Sequence, residues 1–182
     1  MDKKVIYGAV LGLGLIASVL FYENFQRKHK KIPPDTSISE NRKNLPNDLK
    51  MERFPDKSPI RFSDYKGKVL LVNFWASWCE ACMAEMPSIQ KLYNSLKGEG
   101  LEVLGINVDD NPQSVVPDIV DKLNLRFTMA TEVDGQLTSY FNVVAIPFSI
   151  VIGRDQKVVW AESGERDWSS DMILSKMKGL LK

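Results

Sequence analysis

The stretch that decides the fold runs from residue 68 to residue 97 and reads KVLLVNFWASWCEACMAEMPSIQKLYNSLK. Its beginning, Lys68 to Phe74, is an apolar run with β-branched content, which predicts a strand buried on both faces. From Cys79 to Lys97, apolar side chains recur at three- and four-residue spacing, which predicts an amphipathic helix that ends at the glycines that follow. The sequence therefore predicts a buried strand that leads into a helix, with two cysteines near the junction.

Strands and helices alternate along the rest of the chain. Further strands are predicted over Leu101–Val108, Phe127–Ala130, Pro147–Ile152 and Lys157–Trp160, and further helices over about Pro117–Leu125, Gln136–Phe141 and Asp167–Leu181. The last two strands are separated by a short turn, Gly153–Gln156, which is typical of a hairpin. This order predicts an α/β fold in which a sheet lies between layers of helices.

The 182 residues divide into three segments of different composition. Val5 to Tyr22 are 18 residues without a charge, which would span about 27 Å as a helix, so residues 1–22 are predicted to be a transmembrane anchor. Residues 23–53 hold eight Lys or Arg and five Asp or Glu without sustained periodicity, which indicates a polar linker. Residues 54–182 carry 14 basic and 17 acidic side chains and are predicted to form one folded domain.

The N-terminal segment has an alternative interpretation and an ambiguous orientation. A cleaved signal peptide also begins with basic residues and an apolar run, but the end of this run, Ala17 to Tyr22, lacks a clear A-x-A-like cleavage site. We therefore expect an uncleaved anchor. Lys3 and Lys4 precede it, whereas four Lys or Arg follow it within residues 27–31. A strict positive-inside count thus leans towards a cytoplasmic domain, although charges before a large translocated domain are less decisive.

The composition argues against several function classes. The net charge of +1 provides no basic excess for nucleic-acid binding. Two cysteines and a single histidine, His29, are too few ligands for a closed four-ligand zinc site of Cys and His. Two cysteines also cannot form a disulfide-dense scaffold.

Cys79 and Cys82 form a Cys-Glu-Ala-Cys motif at the predicted strand-to-helix junction. Unpaired backbone N–H groups and the positive end of the helix dipole stabilise a thiolate on the first cysteine. This thiolate can attack the disulfide of a partner, and the second cysteine, one turn further on, can resolve the mixed disulfide. A haem-attachment motif would need His where Met83 stands, a zinc half-site lacks its second pair, and a structural disulfide gains little from so short a loop. Redox chemistry is therefore the preferred interpretation.

The stretch Val72 to Pro87 resembles the active-site stretch of membrane-anchored thioredoxin-like proteins of the TlpA/ResA type. Lys66 to Val69 resembles the lead-in to the first core strand of that family, Val115 to Thr131 its helix–strand insert, and Ala145 to Ile152 its cis-proline loop. The resemblance extends from about Ile60 to the C-terminus. It implies a thioredoxin fold, with a central mixed sheet flanked by helices, and extracytoplasmic thiol–disulfide exchange that often reduces apocytochrome c cysteines before haem attachment.

The resemblance also implies roles for further residues. Pro147 would be the cis-proline, and Ile146 before it would offer backbone polar groups to an extended peptide; an ordinary trans-proline that starts a strand is the alternative. Glu85 matches a buried acid near the second cysteine. It lies on the same helix face as Cys82, where desolvation would raise its pKa and let it shuttle a proton; a solvated helix glutamate is the alternative. Trp78 is expected to line the partner-binding surface.

Departures from the family pattern concern partner choice and redox potential rather than the fold. Proline is frequent between the cysteines of the family, whereas this chain has Glu80-Ala81; Phe148 stands where threonine is common, and Gln156 replaces the usual turn glycine. Ordinary thioredoxin has a buried Asp at the position of Asn73, whose amide cannot accept a proton in that role. Because Glu80 disfavours a neighbouring thiolate, we expect the site to be reducing.

Taken together, these features predict a single-pass protein of the bacterial cytoplasmic (inner) membrane whose catalytic domain faces the extracytoplasmic side. Its predicted partners are protein disulfide substrates and an upstream membrane dithiol protein that donates electrons, with no nucleic acid and no cofactor beyond the Cys79–Cys82 pair. A copper-delivery protein on the same fold is the alternative, because thiolates and the nearby Met83 and Met86 suit Cu(I), although residues 54–182 contain no histidine. A peroxidase on a related fold is a weaker alternative.

Overall fold

The computed structural model describes residues 45, 49–132 and 134–182. The predicted anchor Val5–Tyr22 lies outside these residues. Within the part of the chain that is described, no helix has the length and apolar character needed to cross a membrane.

Seven strands and four α-helices make up the described part of the chain. The strands are β1 (Met51–Arg53), β2 (Pro59–Ile60), β3 (Val69–Trp75), β4 (Leu101–Asn107), β5 (Thr128–Glu132), β6 (Phe148–Ile152) and β7 (Val158–Ser163). The helices are α1 (Glu80–Leu96), α2 (Pro112–Lys122), α3 (Gln136–Tyr140) and α4 (Asp171–Leu181). Short 3-10 helices cover Phe62–Tyr65 and Lys97–Glu99.

The seven strands form one mixed sheet in the order β2-β1-β5-β4-β3-β6-β7. Strand β3 pairs in parallel with β4 and antiparallel with β6, and β5 is parallel to β4 on the far side. Every residue of β3 is buried, as predicted for a strand covered on both faces. The cysteine motif therefore follows a fully buried strand near the middle of the sheet.

Two apolar layers cover the sheet, and alternate residues of β3 belong to different layers. Leu71 and Trp75 pack in a layer that includes residues of α1 and α4. Val72 and Phe74 pack in the other layer, which includes residues of α3. Since side chains alternate along a strand, Asn73 faces the same side as Leu71, which is the side of α1 and both cysteines.

The sheet begins before the predicted domain. Strands β1 and β2 are absent from the sequence prediction, and β1 lies inside the segment 23–53 that we expected to be a linker. Its three residues pair with Thr131 and its neighbours in β5, and Met51 is fully buried. A strand of three residues, one apolar and two charged, within a charged segment is too short to show a period.

Two predicted helix boundaries are wrong. Helix α2 begins at Pro112 rather than Pro117. Pro112 is tolerated at the first helical position because the N–H that a proline lacks would have no partner within the helix there. Helix α4 begins at Asp171 rather than Asp167. There the Asp167 carboxylate accepts hydrogen bonds from the N–H and hydroxyl of Ser169, which forms a turn instead of helix.

Candidate redox site

Cys79 and Cys82 are joined in a disulfide at the N-terminus of α1, with an S–S distance of 2.04 Å. Cys79 is the N-cap residue, and its sulfur accepts a hydrogen bond of 3.1 Å from the backbone N–H of Cys82. Cys79 is 7% exposed and Cys82 is fully buried. Of the two cysteines, only Cys79 retains exposed surface. The helix N–H that donates to its sulfur is positioned to stabilise a thiolate there.

The loop before Cys79 is held by a residue that sequence reasoning missed. The carboxylate of Asp109 accepts hydrogen bonds from the N–H and the hydroxyl of Ser77, both of 2.8 Å. It also accepts one of 2.7 Å from the side-chain amide of Asn107 at the end of β4. The neighbouring parallel strand thus positions the loop that delivers Cys79 to the helix. The polar sequence directly after a buried strand was the signal that could have identified Asp109.

Glu85 is the buried acid of the site, 2% exposed, and three donors converge on its carboxylate. The amide nitrogen of Asn73 donates to Oε1 at 2.7 Å. The backbone N–H of Arg166 and the indole N–H of Trp168 donate to Oε2 at 3.1 and 3.3 Å. The solvated alternative for this glutamate is therefore wrong.

Burial and hydrogen bonding shift the pKa of Glu85 in opposite directions. Desolvation by burial is the largest cause and raises the pKa of this carboxyl from its ordinary 4.5 to about 7. The hydrogen bonds from Asn73, Arg166 and Trp168 lower the pKa, and the negative charge of Glu165 raises it slightly. The balance leaves an acid that can both accept and release a proton near neutral pH.

Trp168 belongs to the site, although the sequence analysis placed it only within the predicted helix Asp167–Leu181. It lies in the turn before α4, is 1% exposed and packs in the same apolar layer as both cysteines. Its backbone N–H donates to the hydroxyl of Ser88 at 2.9 Å, and Ser88 lies one turn after Glu85 on α1. No local pattern connects residue 168 to residue 85, so this contact was not predictable from spacing.

The bond between Ile146 and Pro147 is cis, as predicted. The carbonyl of Pro147 accepts a hydrogen bond of 2.8 Å from the N–H of Gly164. Ile146 is partly buried and packs against the layer that contains both cysteines, whereas Trp78 is 72% exposed and Val144 is 85% exposed. The residues around Cys79 and the cis-proline therefore include two large exposed apolar side chains.

Two departures from the family pattern have structural outcomes. Gln156 has a φ of 64°, the left-handed conformation that glycine adopts without strain. Phe148 is buried and packs against Phe74 of the central strand, with ring centroids 6.2 Å apart.

The described residues include no group of three or more His, Cys, Asp or Glu that could hold a metal ion.

Comparison with known proteins agrees with this geometry. Residues 45–161 match the AhpC/TSA family. The chain belongs to this family. The chain is also 33% identical over 107 residues to the thiol-disulfide oxidoreductase ResA of Bacillus thuringiensis subsp. konkukian (strain 97-27), covering 59% of this chain and 61% of that protein. It is 30% identical over 105 residues to ResA of Bacillus subtilis (strain 168), covering 58% of each.

The match thus spans about three fifths of the length of these curated relatives. Among solved structures, a thiol:disulfide interchange protein of the thioredoxin family from Chlorobium tepidum TLS superposes with a TM-score of 0.65 at 23% identity, covering 78% of this chain and 98% of that one. StoA from Bacillus subtilis superposes with a TM-score of 0.58 at 21% identity, covering 74% of this chain and 96% of that one. These likenesses show that this AhpC/TSA member has a thioredoxin-like fold.

Proposed function

We propose that this chain is a thiol–disulfide oxidoreductase that reduces disulfides in partner proteins outside the cytoplasm. The observation that supports this most directly is the Cys79–Cys82 disulfide at the start of α1, with the buried carboxyl of Glu85 one turn further on. The similarity to relatives named thiol-disulfide oxidoreductase ResA supports the same activity.

In the proposed reaction, the reduced site transfers two electrons to the substrate disulfide. The Cys79 thiolate attacks one sulfur of the partner's disulfide, which forms a mixed disulfide and releases the other sulfur as a thiolate that takes up a proton. Cys82 then passes its proton to the Glu85 carboxylate and attacks the sulfur of Cys79. The second partner sulfur leaves as a thiolate that takes up a proton, and the Cys79–Cys82 disulfide re-forms.

Glu85 has the environment that this proton transfer requires. A thiol has an ordinary pKa near 8.5, and Cys82 is fully buried, which disfavours its thiolate further. An acid whose pKa is about 7 lies close enough to that value to take the proton at neutral pH. An acid at its ordinary pKa of 4.5 would be a much weaker base.

The surroundings of the disulfide suit a protein substrate. Exposed Trp78 and Val144, together with the backbone of Ile146 before the cis-proline, provide apolar area and polar groups for an extended peptide. We propose a cysteine pair such as that of apocytochrome c, during cytochrome c maturation, as the substrate. An upstream dithiol protein in the membrane would then return two electrons to the site.

The proposed anchor rests on the apolar N-terminal sequence, and the proposed extracytoplasmic side rests on the family resemblance rather than on the flanking charges. Residues 1–22 would anchor the chain in the cytoplasmic (inner) membrane. The residues between this anchor and β1 would act as a linker, and the sheet from Met51 onwards would belong to the thioredoxin-like domain on the extracytoplasmic side. A membrane-impermeant alkylating reagent added to intact cells should label Cys79. Labelling only after lysis would contradict this orientation.

The decisive experiment traps the mixed disulfide. Reduced full-length Cys82→Ser, mixed with a peptide that contains an oxidised Cys-x-x-Cys pair, should accumulate a covalent adduct through Cys79, because the resolving thiol is gone. The matched control Cys79→Ser keeps one cysteine of the pair, but a buried one, and should form no adduct. Equal trapping by both variants, or a reduction potential of the wild type as oxidising as about −120 mV, would contradict the proposed reductant.

A further inference from the structure

The side-chain amide of Asn73 lies between two polar groups at the centre of the sheet. Its nitrogen donates to Glu85 Oε1 at 2.7 Å and to the hydroxyl oxygen of Ser149 at 2.9 Å. Asn73 and Ser149 face each other in the register of β3 and β6, and they are 0% and 3% exposed. The carbonyl oxygen Oδ1 of Asn73 is buried and has no hydrogen-bond partner among the described residues.

This arrangement satisfies Glu85 only while the carboxylate is ionised. A carboxylate accepts hydrogen bonds at both oxygens, and all three donors around Glu85 suit that state. A protonated carboxyl has an O–H that needs an acceptor. If the proton resides on Oε1, its O–H points at an N–H of Asn73, and if it resides on Oε2, it meets the N–H groups of Arg166 and Trp168.

A half-turn of the Asn73 amide removes this conflict. After the turn, Oδ1 occupies the position between the two neighbours and can accept two hydrogen bonds, one through each lone pair. The O–H of protonated Glu85 provides the first. The hydroxyl of Ser149 provides the second, because a hydroxyl can donate as well as accept.

We propose that Asn73 is a positioning residue whose amide turns by half a rotation each time Glu85 gains or loses a proton, with Ser149 reversing its hydrogen bond in step. The NH2 group faces Glu85 while the carboxyl is ionised, and the carbonyl faces it while the carboxyl is protonated. In either state, the shared contacts pair a donor with an acceptor.

The other charged groups near Glu85 do not replace this partner. Glu165 is an acidic neighbour in the segment after β7 and disfavours the ionised carboxyl. The guanidinium of Arg166 pairs with Glu162 of β7, so only its backbone N–H serves Glu85. The partners of Glu85 from β3 and from the segment before α4, Asn73 and Trp168, are uncharged.

The use of the turn in catalysis rests on the proposed function. In the second step of that reaction, Glu85 receives the proton of Cys82 inside the protein. The amide turn provides an acceptor for that proton at once, so that the O–H of Glu85 is not left without a partner. When the proton leaves, the reverse turn restores the donors that stabilise the carboxylate.

The first test observes the turn in the oxidised full chain in detergent micelles, where the cysteines do not titrate. Above the midpoint of the Glu85 carboxyl signal, the Asn73 side-chain amide protons should show nuclear Overhauser effects to Glu85 and Ser149. Below the midpoint, these effects should be lost. The amide of Asn107, buried at the end of β4 and bonded to Asp109 instead, is the internal control and should keep its pattern. Persistence of the Asn73 effects at low pH would overturn the proposal.

The second test uses Ser149→Ala. Losing the hydroxyl removes the acceptor of one Asn73 N–H in the ionised state, whereas in the protonated state it removes only a donor to the Asn73 carbonyl oxygen, which costs less. The carboxyl midpoint of Glu85 should therefore rise by about one pH unit, and Ser149→Thr, which keeps the hydroxyl, should restore it. If the Asn73 amide were fixed, Ser149→Ala would remove the same Asn73–Ser149 hydrogen bond in both protonation states of Glu85, and the midpoint would not change. An unchanged midpoint would therefore overturn the proposal.

Both tests are independent of the proposed function, because they follow Glu85 and Asn73 without any substrate. Failure of the proposed function would appear as the absence of mixed-disulfide trapping by Cys82→Ser. Failure of the amide turn would appear as an unchanged pattern at Asn73 in a chain that still forms the adduct.

Discussion

The raised pKa of Glu85 predicts that the oxidised protein loses stability as the pH rises through neutrality. The carboxyl has a pKa of 4.5 when solvated and about 7 in the fold. Between these values the native state binds a proton that the unfolded chain has released, so the free energy of unfolding falls with increasing pH. Each pH unit corresponds to 1.36 kcal/mol, so the loss from this group amounts to about 3 kcal/mol and is complete above pH 7.

Urea denaturation of the full chain, at pH values from about 5 to about 8, measures this loss as the change in free energy of unfolding. The matched variant is Glu85→Gln, which removes the titrating proton and keeps the shape. Its amide NH2 can donate to the turned carbonyl of Asn73, as the protonated acid does. Since His29 and the other titrating groups are common to both chains, the difference between the two curves isolates Glu85.

The wild-type free energy should decline across this range relative to that of Glu85→Gln, and the two curves should be parallel above it. The disulfide remains intact throughout, so neither cysteine contributes a proton. Parallel curves over the whole range would refute the raised pKa of Glu85. If the free energy of unfolding of the wild type instead rose with pH relative to that of Glu85→Gln, the direction of the pKa shift would be refuted.

Three further predictions concern single contacts. Trp168→Phe removes the indole donor to Oε2 and should raise the pKa of Glu85 by about one pH unit in a carboxyl NMR titration. Trp160→Phe should not, because the buried indole N–H of Trp160 has no hydrogen-bond partner among the described residues. Asp109→Asn puts an amide donor against the N–H of Ser77 or the amide of Asn107. It should speed hydrogen exchange of the Ser77 amide and lower the free energy of unfolding by about 1–3 kcal/mol, whereas the control Asp110→Asn should change neither quantity. Gln156→Gly relieves a φ of 64° and should raise the free energy of unfolding by about 1 kcal/mol; a decrease would contradict the strain.

The central strand and the cysteine motif could be predicted because each depends on local pattern, whereas the burial of Glu85 was expected from resemblance to a family together with its spacing from Cys82. The apolar run that forms β3 indicates burial on both faces, and three-residue spacing puts Glu85 on the helix face of Cys82. The cis bond before Pro147 was expected from resemblance to a family rather than from any pattern in the residues. Local periodicity thus locates the cysteines and Glu85 but does not show which groups surround them.

The partners of Glu85 could not be predicted because they come from distant parts of the chain. Trp168 and the Arg166 N–H are 83 and 81 residues away, and their positions depend on where α4 begins. Ser149 offered a signal that could have been used: it is a lone polar residue in an apolar strand, as is Asn73. Two such residues in strands of one sheet are expected to pair, because an unpaired polar group is costly in a core.

The amide at position 73 explains how one buried acid can titrate near neutral pH. With Asp there, two carboxyls would lie 2.7 Å apart and would share one proton, since two like charges at that distance cannot both be accommodated. Asn73→Asp should therefore replace the single titration of Glu85 by two macroscopic steps, with one pKa well above 7. At neutral pH the pair would hold a proton already and could not accept one from Cys82, so resolution of the mixed disulfide should slow. A single unshifted titration in this variant would show that the two side chains do not interact.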